Sequence, residues 1–289
     1  MSSTSQQKLR IAAIRFLNPA PLMWDFEHPP LAAELAERYQ INLMLPSQCA
    51  DALASGAADI GLVPVAALAT TPGLRILPGC TIASKHRVRS LLLVRRAAQP
   101  LTQLRSVAAD TASRTTIAHA RILFHNWKNP DVPFIPMAAD LDTMLDRADA
   151  AILIGDPALM ALEERANRFE RTGEQLLYHD LAEEWHDLTG LPFVSAIWGV
   201  SPDVPITERI IDDFLHSRDH GLRNIDALVQ HWSRQLPISE QTIRSYLTHN
   251  IHYILDEECI EGMGCFFRLA AETGILPSYQ LPTTSALTK

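Results

Sequence analysis

The chain has 289 residues, of which 47% are hydrophobic and 20% charged, and it carries a formal net charge of −8 at pH 7. This mix excludes an intrinsically disordered chain, and 25 Lys and Arg scattered without a basic stripe argue against a nucleic-acid partner. The length fits one large domain or two lobes with a cleft between them.

From the start, MSSTSQQKLR is polar and runs straight into Ile11-Ala12-Ala13-Ile14 with no signal-peptide core, so a cytoplasmic location is expected. No stretch approaches the roughly 20 apolar residues that span a bilayer, so no membrane span is expected. Short apolar runs recur at Leu9 to Ile14, Ile41 to Leu45, Ile60 to Val63, Leu91 to Val94, Ser106 to Ala109 and Ala151 to Ile154. Such runs suit strands buried on both faces of a mostly parallel sheet. Between them, Ser47 to Leu53 looks like a cap and first helical turns, and Ser113 to Trp127 spaces Ile117, Ala120, Arg121, Phe124 and Trp127 at helical intervals. Asp156-Pro157 reads as an N-cap and first helical position, and Asp180 to Glu183 as a capping box stopped by Gly190 and Pro192. After Pro205 the apolar spacing is helical throughout, and residues 278–289 read as a loose tail. Alternating strands and helices predict an α/β fold. Cys49, Cys80, Cys259 and Cys265 show neither CxxC pairs nor zinc-ligand spacing and are expected to be free thiols, mostly buried.

Five ordered segments resemble the chorismate dehydratase family of the futalosine route to menaquinone. They are Ile14-Arg15-Phe16-Leu17-Asn18-Pro19-Ala20-Pro21-Leu22; Pro78 to Ser84 with Val88-Arg89-Ser90; Asp110-Thr111-Ala112-Ser113-Arg114-Thr115; Ile154-Gly155-Asp156-Pro157-Ala158; and Glu183-Glu184-Trp185 through Thr189 to Phe193. The chain departs from the family pattern at Arg15 and Phe16, where a small residue and Tyr are usual, and at Ala112, where Ser is common. The resemblance implies a type II periplasmic-binding-protein-like fold: two α/β lobes with a ligand cleft between them and a helical C-terminal region. Lobe 1 is expected over residues 1–93 and 197–289, and lobe 2 over residues 94–196.

It also implies that the small-molecule partner is chorismate, which loses water to give 3-[(1-carboxyvinyl)oxy]benzoate. The protein then has to hold two carboxylates, assist the departure of hydroxide, and spread anionic charge into the ring carboxylate. Thr111, Ser113 and Thr115 sit where a strand opens into a helix, so hydroxyls and unpaired N–H groups converge there as an anion cradle; from the hydroxyls alone Ser113 reads better as a helix cap, and it is the resemblance that points to substrate binding. Arg89 and Arg114 each offer a planar fork to a carboxylate, although lone arginines are mostly solvated. Asn18 ends the first strand and is the expected catalytic amide, its plain alternative being an Asn-Pro turn. Ser47 and Ser84 follow strands and are expected to line the cleft together with Ser90 of the matched Val88-Arg89-Ser90 segment, with Ser47 also readable as an N-cap. Asp156 is the acidic member of a matched motif, but Asp before Pro is so good a helix start that capping is the stronger expectation.

No histidine falls in a matched motif, with His86 and His119 the nearest. Removal of the ring proton by the substrate's own enolpyruvyl carboxylate resolves the missing base. Without a ligand cluster, phosphate loop or dinucleotide fingerprint, neither a metal nor an organic cofactor is expected. The alternatives are the related dihydroxynaphthoate synthase of the same pathway, which needs a catalytic histidine, and a carboxylate-binding protein without catalysis. The sequence sets no oligomeric state.

Overall fold

A computed structural model describes residues 8–112 and 114–288. Its strands are β1 (Leu9–Ile14), β2 (Tyr39–Met44), β3 (Ile60–Pro64), β4 (Arg75–Ser84), β5 (Leu91–Arg96), β6 (Val107–Asp110), β7 (Phe134–Met137), β8 (Ala150–Ile154), β9 (Leu176–Asp180), β10 (Phe193–Val200) and β11 (His252–Ile254). The continuous apolar runs are the buried centres of two sheets: Ile60 to Pro64 and Ala150 to Ile154 are buried at every position, as strands covered on both faces must be.

The first sheet runs β11-β4-β10-β3-β1-β2 and the second β7-β6-β8-β5-β9. In the first, β1 pairs in parallel with β2 and β3, while β10 lies antiparallel between β3 and β4. In the second, β6 is parallel to β7 and β8, and β5 is antiparallel to β8 and β9. The sheets are therefore mixed rather than mostly parallel. The chain leaves the first sheet after β4 and returns as β10, which enters the ladder reversed. Strand β4 escapes sequence reading because Pro78 and Gly79, which has a φ of 84°, punctuate it like a turn.

Helices match the expected places to within a residue or two: Pro46–Ala54, Arg114–Asn126, Leu181–Thr189 and, beyond Pro205, Glu208–Arg223, Ile225–Trp232, Glu240–Ser245 and Glu257–Glu272. The C-terminal region is not wholly helical, because β11 interrupts it to pair with β4. Nor is the end loose throughout: Leu287 is buried and its carbonyl accepts from Gly79 N–H at 3.1 Å. Cys49, Cys80 and Cys259 are buried free thiols, and Cys265 is half-buried.

The helix Glu208–Arg223 buries Ile210, Ile211, Phe214, Ser217, Arg218 and Gly221, the single stripe its periodicity predicts. That stripe holds the segment after β1 in place. Phe214 packs edge-on against Phe26 and Trp198 at 5.1 and 4.8 Å. Ser217 Oγ donates to the Leu22 carbonyl at 2.8 Å and accepts from Asp25 N–H at 3.0 Å, and His220 Nδ1 lies 2.7 Å from the Asp25 carboxylate. Gly221 faces the Pro21 carbonyl so closely that a Cβ would collide with backbone. Gly221→Ala is therefore expected to destabilise the fold by about 1–3 kcal/mol, read as a lowered urea midpoint at unchanged m-value.

Candidate active site

Pairing direction brings the candidate residues to one place. Because β10 is antiparallel to both β3 and β4, the strands β1 to β4 all run the same way. Asn18, Ser47, Ala66 and Ser84 thus follow four strand ends at one edge of the first sheet. In the second sheet, β6 and β8 end at the edge where β5 begins and β9 finishes, so Ser90, Thr111, Asp156 and Asp180 share it. Carboxyl edges of strands are where open α/β sheets bind ligands.

Those edges face each other and are bonded across the seam. Leu17 N–H donates to Asp156 Oδ1 at 2.9 Å, Ser47 N–H to the Ala112 carbonyl at 2.9 Å, and Ala66 N–H to Thr115 Oγ1 at 2.8 Å. Each joins the end of one parallel strand in the first sheet to a strand-to-helix junction in the second. Gly155, with a φ of 68°, lies so close to the Phe16 ring that a Cβ would approach it to 2.6 Å. Phe16, one of the departures from the family pattern, packs directly on the Gly155-Asp156 junction.

Asn18 is half-buried and its Oδ1 is wholly buried with no hydrogen-bond partner among the described residues; Ser84 Oγ is in the same condition, its residue 1% exposed. Unpaired buried polar atoms are uncommon and mark places where a ligand or water belongs. Ser90 is buried and its hydroxyl accepts from Tyr246 Oη at 2.8 Å. Arg89 is half-buried with a φ of 67°, a conformation a non-glycine residue adopts only when held, and its N–H donates to Asp180 Oδ2 at 2.6 Å. Ser47 is half-buried at the second position of its helix, behind Pro46, so it is not the N-cap. Thr111 is exposed, and Thr115 is fully buried against Ala66. Ser113 and the side chain of Arg114 lie outside the described residues.

Asp156 departs from its expected role. Gly155 is the N-cap and Asp156 occupies the first helical position with no capping bond of its own. The carboxylate instead crosses the seam to Leu17, beside Asn18. Burial raises its pKa to about 6, against the opposing pull of the Leu17 N–H. Asp180 does cap its helix, accepting from Ala182 and Glu183 N–H at 3.1 and 3.3 Å. It also takes Val88 and Arg89 N–H from the crossover after β4. The reciprocal half of that capping box is missing because Glu183 pairs with Arg87 at 2.7 Å.

His119 is sealed between Phe266 and Phe193, with ring centroids at 4.1 and 4.0 Å, and Nδ1 lies 3.1 Å from the Thr115 carbonyl. Burial drives its pKa down to about 3, so it stays neutral and packs the start of its helix. His86 is exposed. The ligand atoms of His252, Asp256 and Cys259 lie within 4.8 Å of one another. Lys85 Nζ already occupies Asp256 Oδ2 at 2.6 Å and burial pushes the Cys259 thiol up to about 12, which makes this group an ion-paired helix cap. A hollow of about 720 Å³ is lined by Ile122, Leu188, Cys265 and Arg268 among others. It lies against the last turns of the helix Arg114–Asn126, while the candidate residues gather at its first turn. Tyr246 and Asp180 were invisible as partners of the site: the first sits in a stretch of helical texture, and the second reads fully as a cap.

Residues 9–272 match a family model described as menaquinone biosynthesis. A chorismate dehydratase of Thermus thermophilus is 26% identical over 262 residues, covering 87% of this chain and 91% of that protein. A crystal structure of an Archaeoglobus fulgidus protein superposes with a TM-score of 0.71 at 14% identity, covering 95% of this chain and all of that one. A Candida albicans protein described as having the generic periplasmic binding protein fold superposes with a TM-score of 0.63 at 12% identity, covering 95% of this chain and 92% of that one. The two-lobed fold expected from the sequence is thus shared with solved structures.

The raised pKa of Asp156 sets a pH dependence. The folded protein holds this proton more tightly than the unfolded chain, so the penalty is absent below the usual carboxylate range. The contribution of Asp156 to stability falls by roughly 3 kcal/mol as pH rises from about 4 through about 6. Asp156→Asn, whose Oδ1 still accepts from Leu17, is expected to flatten that slope and melt higher than wild type at neutral pH. Thermal melts across that range check it; an unchanged slope assigns the titration elsewhere.

Proposed function

Because the chain belongs to the menaquinone biosynthesis family, we propose that it is a chorismate dehydratase, a hydro-lyase that converts chorismate to 3-[(1-carboxyvinyl)oxy]benzoate and water. The observation that carries the reading is the pair of buried, unpaired acceptors at the facing sheet edges, Asn18 Oδ1 and Ser84 Oγ. A chain that has closed so many bonds across the seam leaves these two open at the ends of β1 and β4.

The reaction asks for three things. The ring proton must leave, the C–O bond to the neighbouring hydroxyl must break, and charge must be held while the ring becomes aromatic. Asn18 suits the second: its amide oxygen accepts the hydroxyl hydrogen and its NH₂ donates to the oxygen as it departs. The helix Arg114–Asn126 begins at the seam, so the positive end of its dipole lies where a carboxylate is stabilised. Ser84 supplies a further hydroxyl for a carboxylate oxygen. Arg89, Ser90, Ser47 and Thr111 border the same seam and complete the proposed lining.

For the proton, the enolpyruvyl carboxylate of the substrate is the base: it takes the ring proton, the C–H electrons form the aromatic π bond as the C–O bond breaks, and the departing hydroxide takes that proton back from the carboxyl group to leave as water. The sealed, neutral His119 and the exposed His86 leave this route unopposed by a histidine, and Asp156 is engaged with Leu17 N–H, holding the Asn18 loop in register. A cytoplasmic location suits such an enzyme. Among the described residues no helix is long and apolar enough to cross a membrane.

Purified protein incubated with chorismate should release the carboxyvinyloxybenzoate. Asn18→Ala should lower single-turnover dehydration by on the order of a hundredfold or more while weakening chorismate binding much less. Replacement of His86 or His119 in a protein that still melts cooperatively should leave substantial turnover. A folded histidine variant with no turnover, beside an active Asn18→Ala, would establish a protein base.

A further inference from the structure

Residues 246–256 run antiparallel to residues 80–90, and contacts along both segments fix the alignment. Ile254 pairs with Cys80 and His252 with Ala83 in the β4–β11 ladder, Asn250 Nδ2 donates to the Arg87 carbonyl at 3.0 Å, and Tyr246 Oη donates to Ser90 Oγ at 2.8 Å. The segment includes a single π-helical turn, Tyr246–Asn250, a form enriched at functional sites. It backs the carboxyl end of β4, where Ser84 stands.

The ladder carries an irregularity whose extra residue lies on β4 between Cys80 and Ala83; counted from the Ala83 and His252 pair, Ser84 and Tyr253 are each one step along their own strand and fall on one face of the sheet. Both are buried, at 1% and 3% exposed, and neither hydroxyl has a partner among the described residues. Tyr246, also buried, shows how the fold treats a hydroxyl that is purely internal: it gives it Ser90. Burial, with the Tyr246 hydroxyl adding to it, pushes the Tyr253 pKa well above its ordinary value, so Tyr253 is a proton-bearing donor at every physiological pH.

We infer that Tyr253 is a substrate-contacting residue, its hydroxyl donating to an oxygen of the anionic substrate in the same site that Asn18 Oδ1 and Ser84 Oγ border. This rests on the chorismate dehydratase reading and assigns the C-terminal segment a part in it as the back wall of the cleft. A donor there, rather than a cation, fits a carboxylate or ether oxygen held away from water.

The test compares Tyr253→Phe with Tyr246→Phe and wild type, using thermal melts without ligand and steady-state turnover of chorismate. Tyr253→Phe should melt at or above the wild-type temperature, because the lost hydroxyl bonds nothing in the free protein, and its kcat/KM should fall ten- to a hundredfold. Tyr246→Phe, which leaves Ser90 without its donor, should melt lower. Tyr253→Phe with wild-type kcat/KM, or with a melting temperature lowered as in Tyr246→Phe, overturns the inference. Should wild type itself leave chorismate unchanged, the functional reading falls, and the ligand-free melts still decide whether the Tyr253 hydroxyl is structural.

Discussion

Everything in this molecule depends on two sheet edges held face to face by backbone N–H groups. Leu17, Ser47 and Ala66 each project an amide from the end of a parallel strand, and each amide finds its acceptor at a strand-to-helix junction of the opposite sheet. Such junctions are where backbone donors and acceptors lack ladder partners, so the seam satisfies groups that would otherwise need water. One acceptor is a carboxylate, one a carbonyl and one a hydroxyl. The closed arrangement is therefore specific to these residues and not a generic apolar contact.

Against that background the unpaired atoms stand out. The same region that pairs Asp110, Asp156 and Asp180 with backbone N–H groups leaves Asn18 Oδ1, Ser84 Oγ and Tyr253 Oη open. Buried acids in this setting become structural fasteners, their raised pKa values reflecting burial more than chemical readiness. The histidine nearest the site is packed among aromatic rings and stays neutral. A site furnished with hydroxyls, an amide and a helix start, and with no free protein base among the described residues, suits a reaction whose substrate brings its own carboxylate.

The sequence made the parallel strands and long helices legible because Ile11 to Ile14 and Ile60 to Val63 are unbroken apolar runs and Glu208–Arg223 repeats at helical spacing. Strand β4 was hidden by Pro78 and Gly79, and β11 by three residues whose pairing exists only in tertiary context. Among the candidate site residues, Asn18 and Ser84 were singled out through motif resemblance. Asp156 was legible as a helix start but not as a fastener, since nothing local tells that Gly155 takes the cap and frees the carboxylate to reach Leu17. Tyr253 carries no local signal: its significance comes from the register of β11 against β4.

Backbone hydrogen exchange, read residue by residue with and without chorismate, tests the seam as the site most directly. If the substrate closes between the facing edges, the amides of Leu17, Ser47 and Ala66 gain protection on binding, together with those opening the helix Arg114–Asn126. Protection that leaves these amides unchanged and appears instead around Ile122, Leu188 and Arg268 would move the site to the other hollow and contradict the account.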